Sequence, residues 1–268
     1  MGVILSLFLG VVPAFIYAAF VYWLDRYEKE PVLLLGGVFI WGAVIAAGGA
    51  FILNTLFGMS VFIVTGSETA TNLATGSFSA PLVEETLKGL AVLSVFLVFR
   101  REFDSVLDGI VYAGIAALGF AATENSFYIY SYGYQESGYQ GIWVLACIRN
   151  VIVGWQHPFY TSFIGIGLAV TRLNRNTLVK IFAPMVGWGM AVTTHAFHNT
   201  FATVLNSAEG LVLGTIIDWT GWFFMFVLII VAIFREQHYL KKYLNEEIAE
   251  GILTKTQYDT ACSAVLMG

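Results

Sequence analysis

The chain has 268 residues, of which thirteen are Lys or Arg and eighteen are Asp or Glu, giving a formal net charge of −5. Hydrophobic residues make up 58% of the chain and charged residues 12%, against about 45–50% and 25% in an average soluble domain. So few charges cannot cover the surface of a soluble 29.5 kDa protein with a mean hydropathy of +0.76. Most of the chain is therefore expected to lie in lipid. The acidic balance also argues against a nucleic-acid partner, which would require a basic patch.

Apolar stretches of the length needed to cross a bilayer, about 20 residues, predict an all-α polytopic bundle of seven transmembrane spans. The first stretch lacks a preceding basic segment and exceeds the roughly 7–15 apolar residues of a signal peptide, so we expect it to be retained. The seven stretches run over about 2–24, 32–57, 80–99, 107–132, 148–171, 181–206 and 211–234.

The basic residues predict how these spans are oriented, because Lys and Arg concentrate in short loops on the cytoplasmic side. The loops at about 58–79, 133–141 and 207–210 contain no Lys or Arg. Eleven of the thirteen basic residues lie in the other loops or after the last span. The N-terminus is therefore predicted to lie outside and the C-terminus in the cytoplasm of a multi-pass cell-membrane protein. The eleven are Arg26, Lys29, Arg100, Arg101, Arg172, Arg175, Lys180, Arg235, Lys241, Lys242 and Lys255.

The composition changes at about Arg235, where the apolar spans give way to a polar segment. Apolar residues in that segment are spaced as on short amphipathic helices. We therefore predict a transmembrane domain at 1–235 and a small cytoplasmic helical tail at 236–268.

Several polar residues lie inside the predicted spans. An ionisable side chain at the bilayer centre costs about 2.5–3.5 kcal/mol on insertion scales, so each one indicates a functional site. Arg149, near the outer boundary of span five, is instead predicted to extend its charge toward the interface. The polar residues singled out are Glu84, Glu85 and Lys88 in span three, Glu124 and Asn125 in span four, Gln156 and His157 in span five, and His195, His198 and Asn199 in span six.

These residues are predicted to share one depth in the outer half of the membrane. Span three enters from outside just before Glu84, and span four leaves about two turns after Glu124, at 1.5 Å per residue. His157 and His195 fall at the same level by the same count. Four helices would then form a single polar site.

Helical spacing predicts the local pairs within this site. Glu84 and Lys88 stand four residues apart in the favourable order, so an ion pair between them is expected. Glu85 lies about 100° around the helix and is expected to face a neighbouring span. A buried carboxylate beside a histidine is an arrangement typical of general acid–base catalysis.

The same residues resemble the motifs of a known family. The resemblance implies an intramembrane protease that cuts single-pass membrane proteins, typically an anti-sigma factor, on the extracytoplasmic side. It covers about residues 15–205. The segments similar to motifs of the PrsW intramembrane proteases are Glu84-Glu85-x-x-Lys88, Phe120-x-x-x-Glu124-Asn125, His157-Pro158-Phe159, His195-x-x-x-Asn199 and the loop 25–31.

A more distant similarity links these motifs to the CAAX prenyl endopeptidases, whose motifs run EExxxR, FxxxH and HxxxN. In this sequence Lys88 stands one residue earlier than the arginine of that pattern, and Glu124 stands where the pattern has histidine. These departures argue against a CAAX-type substrate.

Two catalytic mechanisms remain open at this stage. In the first, Glu84 deprotonates the attacking water with help from Glu85 or His157, and His195 and Asn199 stabilise the oxyanion. We favour this version because the sequence has no HExxH motif. The predicted catalytic residues are Glu84, Glu85, His157 and His195, with Lys88, Glu124, Asn125 and Asn199 in supporting roles.

In the second mechanism a single zinc ion is bound, and a further glutamate acts as the base. Its candidate ligands are His157, His195 and either Glu85 or Glu124. A serine or cysteine mechanism does not compete, because Cys147 has no evident base beside it.

Two other functional classes also fit intramembrane charges. A proton- or ion-coupled transporter uses such residues as a relay, but the chain shows no inverted repeat, which many transporters have. A catalytically inactive membrane scaffold is the third interpretation. The substrate, the regulatory trigger and the oligomeric state are not encoded in any recognisable pattern.

Overall fold

The computed structural model of the protein describes residues 1–205 and 208–263, and it describes the side chains of these residues except those in the range 205–211. The described part is helical. Eleven α-helices lie within these ranges. They are Gly2–Leu24 (α1), Val32–Ile40 (α2), Ala47–Thr65 (α3), Glu68–Ala74 (α4), Ala80–Val98 (α5), Val106–Tyr128 (α6), Gln135–Cys147 (α7), Gln156–Leu173 (α8), Thr177–Leu205 (α9), Ala208–Ala249 (α10) and Lys255–Ala261 (α11).

Short π-helical segments join several of these helices. A π segment carries an extra residue in a turn and is frequently found at functional sites. The segment Thr75–Ser79 leads directly into α5, and Trp41–Ala46 connects α2 to α3 in one continuous run. Two more, Ile129–Tyr134 and Ile148–Ile152, lie on either side of α7.

Five helical segments among the described residues are long and apolar enough to cross a membrane, so the chain is a multi-pass membrane protein. The longest contains the two predicted spans at 107–132 and 148–171, and α5 is not among the five. The predicted number of seven spans remains a prediction, and the predicted end of span six at residue 206 lies outside the described residues. The five are Gly2–Leu24, Val32–Thr65, Val106–Leu173, Thr177–Val204 and Val212–Ala249.

Helix α6 forms the centre of the bundle and is buried over most of its length. Its start is fixed by a capping box, in which the Ser105 hydroxyl accepts from the backbone N–H of Asp108 and the Asp108 carboxylate accepts from the backbone N–H of Ser105. Gly109 of α6 and Gly165 of α8 meet backbone to backbone, and a Cβ on either would overlap the other's carbonyl. Small residues of this kind let membrane helices approach closely.

The loop between α1 and α2 packs its acidic side chains against α6. The Asp25 carboxylate accepts a hydrogen bond from the backbone N–H of Glu30 at 2.9 Å, and the Glu30 carboxylate accepts from the Tyr112 hydroxyl. Burial raises the pKa of Asp25 to about 6, against the opposing effect of the Glu30 N–H. Burial likewise raises the pKa of Glu30 to about 8, although the Tyr112 hydroxyl lowers it.

Helix α10 continues across the predicted domain boundary at 235/236 and ends at Ala249. After a turn with Gly251 at positive φ, α11 folds back so that the Gln237 side chain donates to the Cys262 carbonyl at 3.1 Å. The division into domains at 235/236 remains a prediction, and the last five residues of the predicted tail lie outside the described range.

The raised pKa of Glu30 predicts a fold that loses stability as the pH rises. The usual pKa of a glutamate is about 4.3, so the folded state holds this proton more tightly than the unfolded state does. The stabilisation is complete below that value and is lost as the pH passes through 8. Thermal unfolding of the protein in detergent should therefore occur at a lower temperature at pH 9 than at pH 6.

Glu30→Gln should flatten this dependence, since the amide oxygen can still accept from Tyr112 without ionising. The exposed Glu68 offers a matched control, because Glu68→Gln should leave the pH dependence as it is in the unchanged protein. An unfolding temperature that rises between pH 6 and pH 9 would contradict the assignment.

Candidate active site

The site begins on α5, where three ionisable side chains are buried within two turns. Pro81 stands at the start of this helix, where a missing backbone N–H leaves no partner unsatisfied. Glu84, Glu85 and Lys88 follow, and Glu85 and Lys88 have no exposed surface. The Lys88 ammonium donates to the Glu85 carboxylate at 2.5 Å. The predicted pairing of Lys88 with Glu84 is therefore wrong. Lys88 pairs with Glu85, three residues before it, and not with Glu84, four residues before it.

The Glu85 carboxylate connects three helices. Besides Lys88, it accepts a hydrogen bond from the Thr161 hydroxyl of α8 at 2.8 Å, and its other oxygen lies 2.9 Å from His195 Nδ1 of α9. The expectation that Glu85 faces neighbouring spans is confirmed. With its oxygens occupied by partners, Glu85 orients other residues and does not point into open space.

Lys88 also fixes the ring of His157. Its ammonium lies 3.2 Å from His157 Nδ1 and 4.5 Å from the centre of the Phe120 ring, an arrangement that stabilises a cation in a dry environment. Because an ammonium can only donate, Nδ1 of His157 is the accepting nitrogen. The other nitrogen, Nε2, faces the Glu124 carboxylate at 2.9 Å.

Glu124 is held by an arginine that sequence reasoning assigned to the membrane interface. The Arg149 guanidinium binds the Glu124 carboxylate and donates from Nε to the Asn125 side-chain oxygen at 2.6 Å. It also lies over the Tyr128 ring at 4.2 Å. Arg149 thus belongs to the site, and the prediction that it extends toward the interface is wrong. The signal available in the sequence was its place beside an intramembrane glutamate on a neighbouring span.

Glu84 is the carboxylate without a fixed partner. Its Oε2 is buried and has no hydrogen-bond partner among the described residues, and it lies 3.9 Å from His195 Nε2. Since His195 Nδ1 is bound to Glu85, Nε2 can present a lone pair. Two electron-pair donors therefore face the same small space.

This geometry fits a metal ion. One potential ligand atom from each of Glu84, His157 and His195 lies within 4.8 Å of the other two. Two histidines and a glutamate are a known ligand set for catalytic zinc. Glu84 takes the place that the sequence analysis gave to Glu85 or Glu124, both of which are held by other residues. To bind the ion through Nε2, His157 would have to give up its contact with Glu124. Its proton would also have to move from Nε2 to Nδ1, which would end the contact in which Nδ1 accepts from Lys88.

The site contains more carboxylates than fixed cations. Three carboxylates, those of Glu84, Glu85 and Glu124, face two fixed cations, Lys88 and Arg149. An unpaired charge is costly in a low-dielectric interior. A bound cation beside Glu84, or a proton on its carboxylate, would compensate the remaining negative charge.

A cavity of about 610 Å³ opens beside these groups. Asn199 lines it and donates from its side-chain nitrogen to the Gly76 carbonyl at 2.9 Å. The amide predicted to stabilise an oxyanion therefore anchors the π segment before α5. Other lining residues are Ala50, Asn54, Thr75, Tyr128 and Tyr160.

A second polar cluster adjoins the first and was missed by the sequence analysis. Asp218 of α10 is 3% exposed and accepts from Gln156 at 2.7 Å and from the Tyr160 hydroxyl at 2.9 Å. Nδ1 of His198 lies 2.6 Å from the same carboxylate. Asp218 lies inside the predicted span 211–234. The cost of an intramembrane carboxylate would have identified it by the argument applied to Glu124.

A family model and several known proteins that resemble this chain agree on one family. A model of the PrsW family intramembrane metalloprotease matches residues 30–234. The chain is 36% identical over 129 residues to a protein named Protease PrsW from Clostridioides difficile (strain 630), which covers 47% of this chain and 52% of that protein. It is 32% identical over 128 residues to Protease PrsW from Geobacillus kaustophilus (strain HTA426), covering 48% and 53%.

A third relative, Protease PrsW from Bacillus subtilis (strain 168), is 28% identical over 153 residues, which cover 54% of this chain and 64% of the relative. The chain thus spans about half the length of the first two relatives and less than two thirds of the third. No solved structure matches the chain.

Removing the Lys88 charge is expected to expose how far the fold depends on it. Lys88→Met leaves the buried Glu85 carboxylate without its ion-pair partner, which typically costs about 3–5 kcal/mol. Thermal unfolding in detergent should shift strongly downward. Adding Glu85→Gln to the same chain should recover most of the stability, because no buried charge is then left unpaired. If Lys88→Met unfolds at the temperature of the unchanged protein, this ion pair does not support the fold.

Proposed function

Since the chain belongs to the PrsW family of intramembrane metalloproteases, we propose that it is an intramembrane endopeptidase that cleaves single-pass membrane proteins. The observation that carries the proposal is the convergence of Glu84, His157 and His195 on one space beside a cavity of about 610 Å³. An anti-sigma factor is the substrate class that the family resemblance implies. The proposed cleavage site lies near the extracytoplasmic side.

The proposed topology has seven spans, the N-terminus outside and the C-terminus in the cytoplasm. Contacts between loops support it. The Arg172 guanidinium donates to the Arg100 carbonyl at 2.7 Å, which joins two loops predicted to be cytoplasmic. At the opposite end, the backbone of Gly2 lies against the Tyr134 ring, which joins two segments predicted to lie outside.

We propose that Glu84, His157 and His195 hold a divalent metal ion. Such an ion, when bound, polarises the scissile carbonyl and lowers the pKa of a coordinated water. The surrounding residues orient the ligands. Glu85 fixes His195 through Nδ1, as carboxylates commonly do for metal-binding histidines, and Lys88 neutralises Glu85.

Glu124 is the carboxylate that we assign to proton transfer. Glu85 is occupied by Lys88, Thr161 and His195, whereas Glu124 lines the cavity. In the proposed reaction the oxygen of the water bonds to the scissile carbonyl carbon, and Glu124 takes one proton from that water. The same proton then passes to the leaving amide nitrogen as the C–N bond breaks, so the carboxylate is regenerated. Arg149 keeps Glu124 oriented throughout.

The metal-independent alternative assigns the same proton transfer to Glu84. Its free oxygen and its proximity to His195 are compatible with that role. The two mechanisms differ in what happens to Glu84 and Glu124 variants, so they can be separated experimentally.

We expect Glu84→Gln and Glu124→Gln to abolish cleavage for different reasons. Glu84→Gln removes a ligand, so purified protein should lose both its metal and its activity. Glu124→Gln should keep the metal and lose at least about 100-fold in rate, the usual contribution of a general base. Metal content by elemental analysis and cleavage of a co-expressed, epitope-tagged single-pass anti-sigma factor would be measured on the same preparations.

The exposed Glu68 provides the matched control, since Glu68→Gln should change neither readout. Chelator treatment should abolish the activity of the unchanged protein, and added zinc should restore it. An active protein free of metal, whose activity depends on Glu84 alone, would establish the glutamate mechanism instead. If the unchanged protein cleaves none of the single-pass proteins in its membrane, the proposed function itself is wrong.

Single cysteines would test the topology. The background protein would carry Cys147→Ser and Cys262→Ser, and both test positions, Ser137 and Asn176, are exposed. A membrane-impermeant maleimide added to intact cells should label Ser137→Cys and leave Asn176→Cys unlabelled until the membrane is opened. Labelling of Asn176→Cys in intact cells would contradict the proposed orientation.

A further inference from the structure

Helix α10 touches the rest of the bundle along a thin stripe. Between residues 212 and 249, the buried positions are Gly214, Asp218 and Met225, which lie on one helical face because they are four and seven residues apart. A cavity of about 670 Å³ separates α10 from α1 and α6 on one side. Another of about 430 Å³ lies between α10 and α9 on the other. The Asp218 cluster is a buried polar contact of α10 with the bundle.

Two neighbours donate hydrogen bonds to Asp218, and His198 lies close to it. Gln156 and His198 approach one carboxylate oxygen, and the Tyr160 hydroxyl approaches the other. Tyr160 is 1% exposed and Gln156 is 6% exposed, so water does not compete for these bonds. A carboxylate inside the membrane would be expensive without such partners.

Tyr160 carries this contact into the active site. Its ring stacks on the imidazole of His195, with centroids 4.9 Å apart and an interplanar angle of 18°. Glu85 fixes one nitrogen of the same imidazole. The hydrogen bond to Glu85 sets the direction of the ring within its plane, and the Tyr160 ring sets the plane. Together they determine where His195 Nε2 points.

We propose that Asp218 is a positioning residue of the active site, which holds Tyr160 in place and thereby orients His195 toward Glu84. Asp218 does not touch the reacting atoms in this arrangement. The proposal rests on the proposed peptidase function for its effect on rate, but the effect on the His195 ring is independent of that function.

The first test observes His195 directly. The chain has four histidines, so histidine-labelled protein in detergent should give four assignable imidazole signals by NMR, with His195→Ala identifying one. Asp218→Ala should shift the His195 signal although the two residues are not in contact, and should leave the distant His238 signal unchanged. An unchanged His195 signal in a folded Asp218→Ala protein would overturn the proposal, whether or not the chain is a protease.

The second test is a double-mutant cycle on turnover of the tagged anti-sigma factor. Asp218→Ala and Tyr160→Phe should each lower kcat about tenfold with little change in KM. The double variant should be no slower than the slower single variant, because both remove the same interaction. Multiplying effects, about 100-fold in the double variant, would show that Asp218 acts by another route and would overturn the proposal.

A conservative variant separates positioning from folding. The amide of Asp218→Asn can still bond the Tyr160 hydroxyl, which either donates or accepts. We therefore expect Asp218→Asn to restore both the His195 signal and kcat to within about threefold of the unchanged protein. If Asp218→Asn folds but behaves like Asp218→Ala in both measurements, the link through Tyr160 is wrong. If the unchanged protein shows no cleavage but Asp218→Ala still shifts the His195 signal, the proposed function is wrong and the positioning role of Asp218 stands.

Discussion

The buried ion pair between Glu85 and Lys88 is the interaction on which the rest of the site depends. Neither side chain reaches solvent, so each charge must be compensated within the protein. Glu85 bonds to α8 and α9, and Lys88 bonds to His157. One ion pair on α5 therefore fixes both histidines, which lie on different helices. A less connected pair would stabilise the fold without determining the geometry of the catalytic groups.

The connections leave the carboxylates of the site with different properties. Glu85 is held by three partners and Glu124 by Arg149 and His157, whereas Glu84 keeps a buried oxygen free. A buried polar atom without a hydrogen-bond partner is costly in a low-dielectric interior. The free oxygen thus marks the position where a ligand, an ion or a reacting water is needed. The distribution of hydrogen bonds, and not any one motif, indicates the reactive point.

Much of this arrangement could be predicted from the sequence because intramembrane charges are rare and their depth can be counted. Counting depth predicts one level for Glu84, His157 and His195, and the structure places a potential ligand atom of each within 4.8 Å of the other two. Counting depth could not decide whether Lys88 pairs with Glu84 or with Glu85, because positions three and four residues away are both within reach on a helix. Arg149 was misplaced because its partner lies on another helix. Asp218 escaped notice only because the cost of a buried charge was not applied to the last span.

Helices α6 and α8 are joined in two different ways along their length. Gly109 of α6 and Gly165 of α8 bring the two backbones into contact near the end of the bundle that contains the loop 25–31. Toward the other end the same two helices carry Glu124 and His157, whose larger side chains bridge the gap through a hydrogen bond of 2.9 Å. Small residues thus join the two helices at one level, and a contact between a histidine and a carboxylate joins them beside the reactive groups.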